Sequence, residues 1–333
     1  MRRRAYLIWI VIIFLFLQRA EAVLVPPLDL DSLCDSAPFI VVGQVISVAE
    51  VGRTSVPFGN RTVPARSMVA EIRVDQVLKG AGDFSSPLRC RFTVTDEFIG
   101  WRSISSLSYR VFFLTDEFNL ANPFYPSAAA IPGAEIQPGD PNERVIGELI
   151  AVVESAKAPI EEKREAVFAI ASSKKPQAIR ALNRVAGVKD VGLQLSVSAA
   201  LLGHNDISTL QFAVDTLLKP DPALSQDLLH NLSYAIFEGV KDERAVAALT
   251  RLLRTGRSES RRAAASALTH TGTTSCIDPL LLGINDPDFE VRYYSAVGLA
   301  EITGQMEWHP NMDDFTSAQE KYLRHWREWS KSR

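Results

Sequence analysis

Ser260-Arg261-Arg262-Ala263-Ala264-Ala265-Ser266-Ala267-Leu268 and Glu290-Val291-Arg292-Tyr293-Tyr294-Ser295-Ala296-Val297-Gly298-Leu299 each run through small residues to a closing leucine. Both stretches read as helices closed by an apolar anchor. Working outward, the same kind of helix is anchored at Ile170, Leu201, Ile236, Leu268 and Leu299, neighbours recurring at a spacing of roughly 31 to 35 residues. Between these anchors lie four segments with apolar residues at i, i+3 or i+4, and i+7. They are Ile179, Leu182, Val185 and Ala186; Leu210, Val214, Leu217 and Leu218; Val246, Leu249, Leu252 and Leu253; and Ile277, Leu280, Leu281 and Ile284. That spacing gives each helix one buried face. Two helices in each such period predict an α-solenoid over 143–304, in which only stacking of neighbours buries the apolar faces.

On the C-terminal side, 305–333 changes character. Trp308, Phe315, Tyr322, Trp326 and Trp329 crowd a short tail, with Tyr322, Trp326 and Trp329 on one helical face and Lys321, Arg324, Arg327, Lys331 and Arg333 around them. Thr316 and Gln319 fit a capping box that would open this last helix. The terminal unit of a solenoid needs its apolar side covered, so the helix is expected as a cap. The alternative is peripheral contact with a membrane surface or a partner.

On the N-terminal side the period changes to that of strands. Phe39–Val48 is β-branched, Met68, Ala70, Ile72 and Val74 alternate with polar neighbours, Cys90, Phe92 and Val94 do the same, and Tyr109–Leu114 is a fourth run. Four or five strands without an intervening helix predict a small antiparallel β-barrel or sandwich over 23–117. Arg53–Pro64 reads as a polar turn-rich loop. The stretch 118–142 carries Pro123, Pro126, Pro132, Pro138 and Pro141 and reads as a linker, since proline interrupts both helices and central strands.

Two resemblances follow from these residues. The order of a Cys, an Ile40-Val41-Val42-Gly43 strand, Val77-Leu78-Lys79-Gly80 and Phe112-Phe113-Leu114 resembles the OB-like barrel of the netrin and tissue-inhibitor-of-metalloproteinase family, as used in bacterial exported proteins. The inhibitors of that family chelate zinc through an N-terminal Cys. Here Cys34 lies well inside the expected mature start at Val23, so that mechanism does not carry over. The two Ala-rich stretches, with Asp286-Pro287-Asp288 before the second, resemble bacterial HEAT-like repeats, which implies a fold and leaves function open.

Arg2, Arg3 and Arg4, the apolar run Ala5–Leu17 and Ala20-Glu21-Ala22 form the three parts of a secretory signal peptide, 1–22, cleaved after Ala22 or else retained as an anchor. No other stretch approaches the ~20 apolar residues of a membrane span. The segment 1–22 carries four Arg and one Glu, so its removal takes the net charge from −3 to about −6. A negative balance argues against nucleic-acid binding. In an exported chain Cys34 and Cys90 are the natural disulfide pair, and Cys276 a buried thiol.

No catalytic, cofactor or metal motif is present. The histidines His204, His230, His270, His309 and His325 lack paired-ligand spacing, and there is no C-x-x-C, nucleophile elbow, Walker A loop or dinucleotide fingerprint. The remaining candidate surface is an arginine-lined groove. By the HEAT-like resemblance it would comprise Arg180, Arg184, Arg244, Arg251 and Arg254 and receive an acidic peptide or an anionic polymer; alternatively these residues only keep a helical face solvated. The expectation is therefore an exported, non-enzymatic protein–protein interaction scaffold without cofactors, its partner and oligomeric state open. The alternative is an inhibitor or regulator of an exported enzyme, acting through barrel loops such as Arg53–Pro64.

Overall fold

The computed structural model describes residues 29–58, 61–84, 86–95, 107–127 and 140–333. The expected signal segment and the middle of the proline-rich stretch, 128–139, lie outside the described residues. The chain divides into two compact units, Met1–Ser173 and Lys174–Arg333.

The first unit is built on helix α1 (Leu30–Ser36), strands β1 (Phe39–Phe58), β2 (Arg61–Lys79), β3 (Leu88–Thr95), β4 (Tyr109–Leu114) and β5 (Leu120–Pro126), and helices α2 (Pro141–Glu154) and α3 (Ile160–Ala171). All strand pairs are antiparallel, in the order β3-β2-β1-β4-β5. The expected alternation holds in β2, where Ala70 and Ile72 are fully buried. They join Val41, Val45, Cys90, Phe92, Phe112, Leu114 and Phe124 in one apolar cluster that draws on all five strands. The alternate residues Ile40, Val42, Val111 and Phe113 are equally buried. The three helices contribute nothing to that cluster and pack on one another, on β2 and on β5.

The sheet is open, not a closed barrel. Its edges β3 and β5 come close without forming a ladder. The physical reason is in β5, where Pro123 and Pro126 have no N–H to donate, so the strand serves only as an edge. The same strand shows that the proline-rich stretch is not linker throughout. A second difference concerns Arg53–Pro64, expected as a loop. Within it, Arg53–Phe58 and Arg61–Pro64 continue β1 and β2 as a paired ladder, with Arg53 opposite Arg66 and Val56 opposite Val63. Register shifts along this ladder are bulges, which bend and twist the ribbon.

The expected Cys34–Cys90 disulfide is not formed. Cys90 is a buried thiol opposite Ala70 inside the strand cluster, whereas Cys34 sits on α1, which contributes no residue to that cluster. Polar side chains tie α1 down instead. Asp31 accepts from Asn142 Nδ2 at 2.8 Å and from Ser173 Oγ at 2.6 Å, and Lys79 Nζ donates to the carbonyl of Cys34 at 2.7 Å. The helices α2 and α3, expected at the head of the solenoid, belong to this first unit.

The second unit alternates short and long helices: α4 (Pro176–Arg184), α5 (Val191–Gly203), α6 (Leu210–Leu218), α7 (Gln226–Gly239), α8 (Val246–Thr255), α9 (Ser258–Thr271), α10 (Ile277–Gly283), α11 (Phe289–Thr303) and the terminal α12 (Met312–Lys331). The long helices α5, α7, α9 and α11 stack in order as one layer, and α6, α8 and α10 stack as the other. This is the repeat solenoid the period predicted. Leu201, Ile236, Leu268 and Leu299 are all fully buried, as are Leu182, Val214, Leu249 and Leu280 from the short helices. Helix entries follow local chemistry: Asp190, Ser225 and Asp288 each accept from a first-turn N–H. The long helices α9 and α11 end on Gly272 and Gly304, both left-handed, and Asn205 takes that conformation just after α5.

The aromatic tail caps the array. Phe315, Tyr322, Leu323 and Trp326 are buried in the same core as the repeats, and Trp308 stacks flat on His325 at 3.8 Å. Tyr322 and Trp326, from the face considered for membrane contact, are thereby turned inward. A first piece begins at Asn311, whose Oδ1 accepts from Asp314 N; the backbone then leaves helical geometry at Ala318, so the helix that carries Tyr322 and Trp326 starts beyond it, without the expected Thr316 cap. Thr316 lies inside the first turns and donates to Met312 O.

Candidate functional site: an aromatic row on the long-helix layer

The most developed surface feature lies on the long-helix layer of the second unit. From α7, Tyr234 and Phe237 stand one turn apart with nearly parallel rings, their centroids 6.5 Å apart. From α11, Tyr294 meets Phe237 edge to face at 5.2 Å, and Tyr293 continues from Tyr294 at 5.3 Å. Tyr293 then contacts the buried Phe315 of the cap at 5.5 Å. Tyr234 is 59% exposed; Phe237, Tyr293 and Tyr294 are half-buried.

Helix α9 explains why rings from α7 and α11 can touch. It lies between them and carries Ala263, Ala264, Ala265, Ser266 and Ala267, too small to keep longer side chains apart. Its hydroxyls fix both neighbours. Ser266 donates to the carbonyl of Phe237 at 3.3 Å, and Thr269 to that of Tyr294 at 2.9 Å. Gly298 lets α11 come close, because a Cβ there would collide with the Thr269 hydroxyl and lie 2.9 Å from Leu280.

Charge surrounds the row unevenly. Glu238 follows Phe237 and is exposed, and Glu290 and Glu301 lie on α11. Burial, then Glu290 and Glu238, push the Tyr294 hydroxyl above its ordinary pKa; burial and then Glu301 do the same to Tyr293. Arg262 is the nearby cation, and it is committed. It chelates Asp288 with Nε at 2.9 Å and Nη2 at 2.7 Å and reaches Glu290 at 3.1 Å. His230 pairs with Glu259 between α7 and α9. The hydroxyls of Tyr234, Tyr293 and Tyr294 have no hydrogen-bond partner among the described residues.

The arginines expected to line a groove are on the short helices or, for Arg244, just before one. Arg180 and Arg184 lie on α4, Arg251 and Arg254 on α8, and Arg244 in the 3-10 turn before α8. Helix α6 stands between the two sets in chain order. Asp242 chelates Arg244 through Nε and Nη2, and Asp215 of α6 pairs with Arg251. Arg244 and Arg251 are thus matched by carboxylates, while Arg180 and Arg254 are exposed. His309 pairs with Glu301 at 3.2 Å, and among the described residues no group of three or more His, Cys, Asp and Glu could hold a metal ion. Among the described residues no helix is long and apolar enough to cross a membrane.

Sequence reading missed the row because its members are spread from Tyr234 to Tyr294 and only stacking unites them. One signal was visible: Tyr293-Tyr294 stands directly before the small and aliphatic run Ser295–Leu299.

No protein-family model matches the chain, and no curated protein matches it. Among solved structures, the chain is similar to an engineered protein at 19% identity, over 47% of this chain and 80% of that one, with a TM-score of 0.33. It is also similar to human deoxyhypusine hydroxylase in complex with glycerol at 16% identity, over 56% of this chain and 72% of that one, with a TM-score of 0.26. At such scores the likeness carries no assignment.

Proposed function

We propose that the chain is a non-enzymatic scaffold of HEAT-like type that binds another protein, exported by the segment 1–22, and that its docking surface is the row Tyr234–Phe237–Tyr294–Tyr293. The observation that carries this reading is the row itself. Aromatics joined across separate repeats leave ring surface open to solvent, Tyr234 most of all, and aromatic residues dominate binding energy at protein interfaces. The strand order and the near approach of β3 and β5 support an OB-like module as the second, rigid part of the scaffold. The matched charges on Arg244 and Arg251 favour a solvated role for the arginine face over a groove.

The test is capture of proteins from the cell-envelope fraction on immobilised full chain in three versions. These are wild type, Tyr234→Ala with Tyr294→Ala, and Arg180→Glu with Arg184→Glu. A discrete protein held by wild type and by the arginine variant, but lost from the tyrosine variant at unchanged fold, supports the reading. Equal capture by the tyrosine variant sinks it.

A further inference from the structure

We propose that the open edge of β1, residues 48–55, pairs with the same edge of a second copy of this chain, antiparallel about a two-fold axis that passes between Val51 and Gly52. The surface lies in the first unit and is independent of the aromatic row.

The first observation is the free main chain. β4 accompanies β1 only from Phe39 to Gln44. Val45 then exchanges bonds with Ser108 and Leu107, and Leu107 takes a left-handed φ of 69° that ends the extended run of β4. β1 itself continues to Phe58. Its β2 side is paired along that whole length, but on its other side no strand pairs with it past Val45 among the described residues. Residues 49–55 are all exposed. Unpaired N–H and C=O groups along such an edge are a template for a further strand.

The second observation is charge, and it selects a copy of the same edge as the occupant. Glu50 and Arg53 are the charged residues of this run. In an unbroken strand, residues three apart point to opposite faces. The irregularity between Glu50 and Gly52 returns them to one face, where they approach to 3.9 Å within a single chain. That contact is loose, with the Arg53 side chain 88% exposed. The two residues stand equally far from the Val51–Gly52 peptide and carry opposite signs. A two-fold axis there sets each Glu50 opposite Arg53 of the other copy, twice over, which is the self-complementarity an isologous contact requires. Ala49 then falls opposite Thr54 and Val48 opposite Ser55, so no bulky pair is forced together. Val51, 58% exposed, meets its counterpart at the axis. A bulge by itself blunts an edge. Here the two bulges lie together at the axis, and the ladder forms on either side of them. It stops short of Pro57, which has no N–H, and of Val45, whose edge is already taken.

The test is sedimentation equilibrium of the full chain at concentrations up to ~200 μM. Wild type is expected to show a reversible monomer–dimer equilibrium that weakens as salt is raised, because both ion pairs are exposed. Glu50→Arg and Arg53→Glu should each weaken it at least about tenfold, by setting like charges opposite one another. Both positions are exposed, so circular dichroism of each variant should match wild type. An equimolar mixture of the two variants should dimerise again, since every pair across the axis is then Arg with Glu. Glu50→Arg and Arg53→Glu combined in one chain should restore the dimer as well. Tyr234→Ala with Tyr294→Ala should leave it unchanged, which separates this contact from docking at the row. The proposal is overturned if wild type stays monomeric throughout, if the single reversals leave association intact, if neither the mixture nor the exchange restores it, or if association depends on the tyrosines.

Discussion

Phe237 and Tyr294 meet edge to face at 5.2 Å across α9, and each offers its own carbonyl to a hydroxyl of that helix. One helix of small residues thus sets the relation between two others at both backbone and ring level. The arrangement makes the row sensitive to changes in the core beneath it.

Gly298→Ala should destabilise the second unit. The new methyl would press on the buried Thr269 and Leu280 side chains, and Thr269 is the residue that donates to the carbonyl of Tyr294. Overpacking of this kind costs ~1–3 kcal/mol. Chemical denaturation should show the loss. Since α11 must move off α9, near-ultraviolet dichroism from Tyr294 should change with it.

Trp326→Ala removes the largest fully buried side chain of the cap. A loss of ~3–5 kcal/mol is expected. The last repeat should then fray first, which hydrogen exchange would register as lost protection in α11 and α12 before α5 and α7.

Asp288 gives the second unit a pH dependence. Burial opposes its charged form, but Arg262, Ser258 and the N–H of Val291 outweigh burial and hold the carboxyl well below the usual carboxylate range. A depressed folded-state pKa contributes stability that is complete above the unfolded value of ~3.9 and is lost as pH falls through the folded one. Asp288→Asn should therefore lower Tm at pH 7. The gap between variant and wild type should narrow steadily as pH is taken below ~4. A gap of constant size from neutral to strongly acidic pH would contradict this account.

Cys90 should be silent toward thiol reagents in the native protein. Burial alone pushes its pKa up to about 12, and the thiolate is the reactive species. Labelling should appear only with denaturant, and intact mass under non-reducing conditions should show no Cys34–Cys90 link.

The solenoid was legible because helix burial repeats within one segment, so Leu201, Ile236, Leu268 and Leu299 announce themselves without any neighbour. Strands β2 and β3 were legible for the same reason at period two, and β1 and β4 as runs of β-branched and aromatic residues. The features that escaped depend on pairing between distant segments. Nothing local in Arg53–Pro64 reveals that it continues a ladder, because its partner across the turn is equally polar. Leu120–Pro126 is a strand only because β4 supplies the other half of its hydrogen bonds. The arginine face looked coherent in sequence, since charges read by helical spacing ignore what the adjacent helix brings; Asp215, on α6, is far from Arg251 in the chain and beside it in space. Asp242, close to Arg244 in the chain, could have been weighed.

The way α9 holds its two neighbours has a consequence for how this molecule could change over time. A stacked array tolerates duplication or excision of a whole unit, since any unit presents nearly the same face to the next. The aromatic row does not share that tolerance. Excising the unit centred on α9 would heal the stack and leave Phe237 and Tyr294 with no shared bridge; inserting one would part them by a helix width. Length is free to drift at the α4 end of the array, but between Tyr234 and Tyr294 the count of helices is fixed.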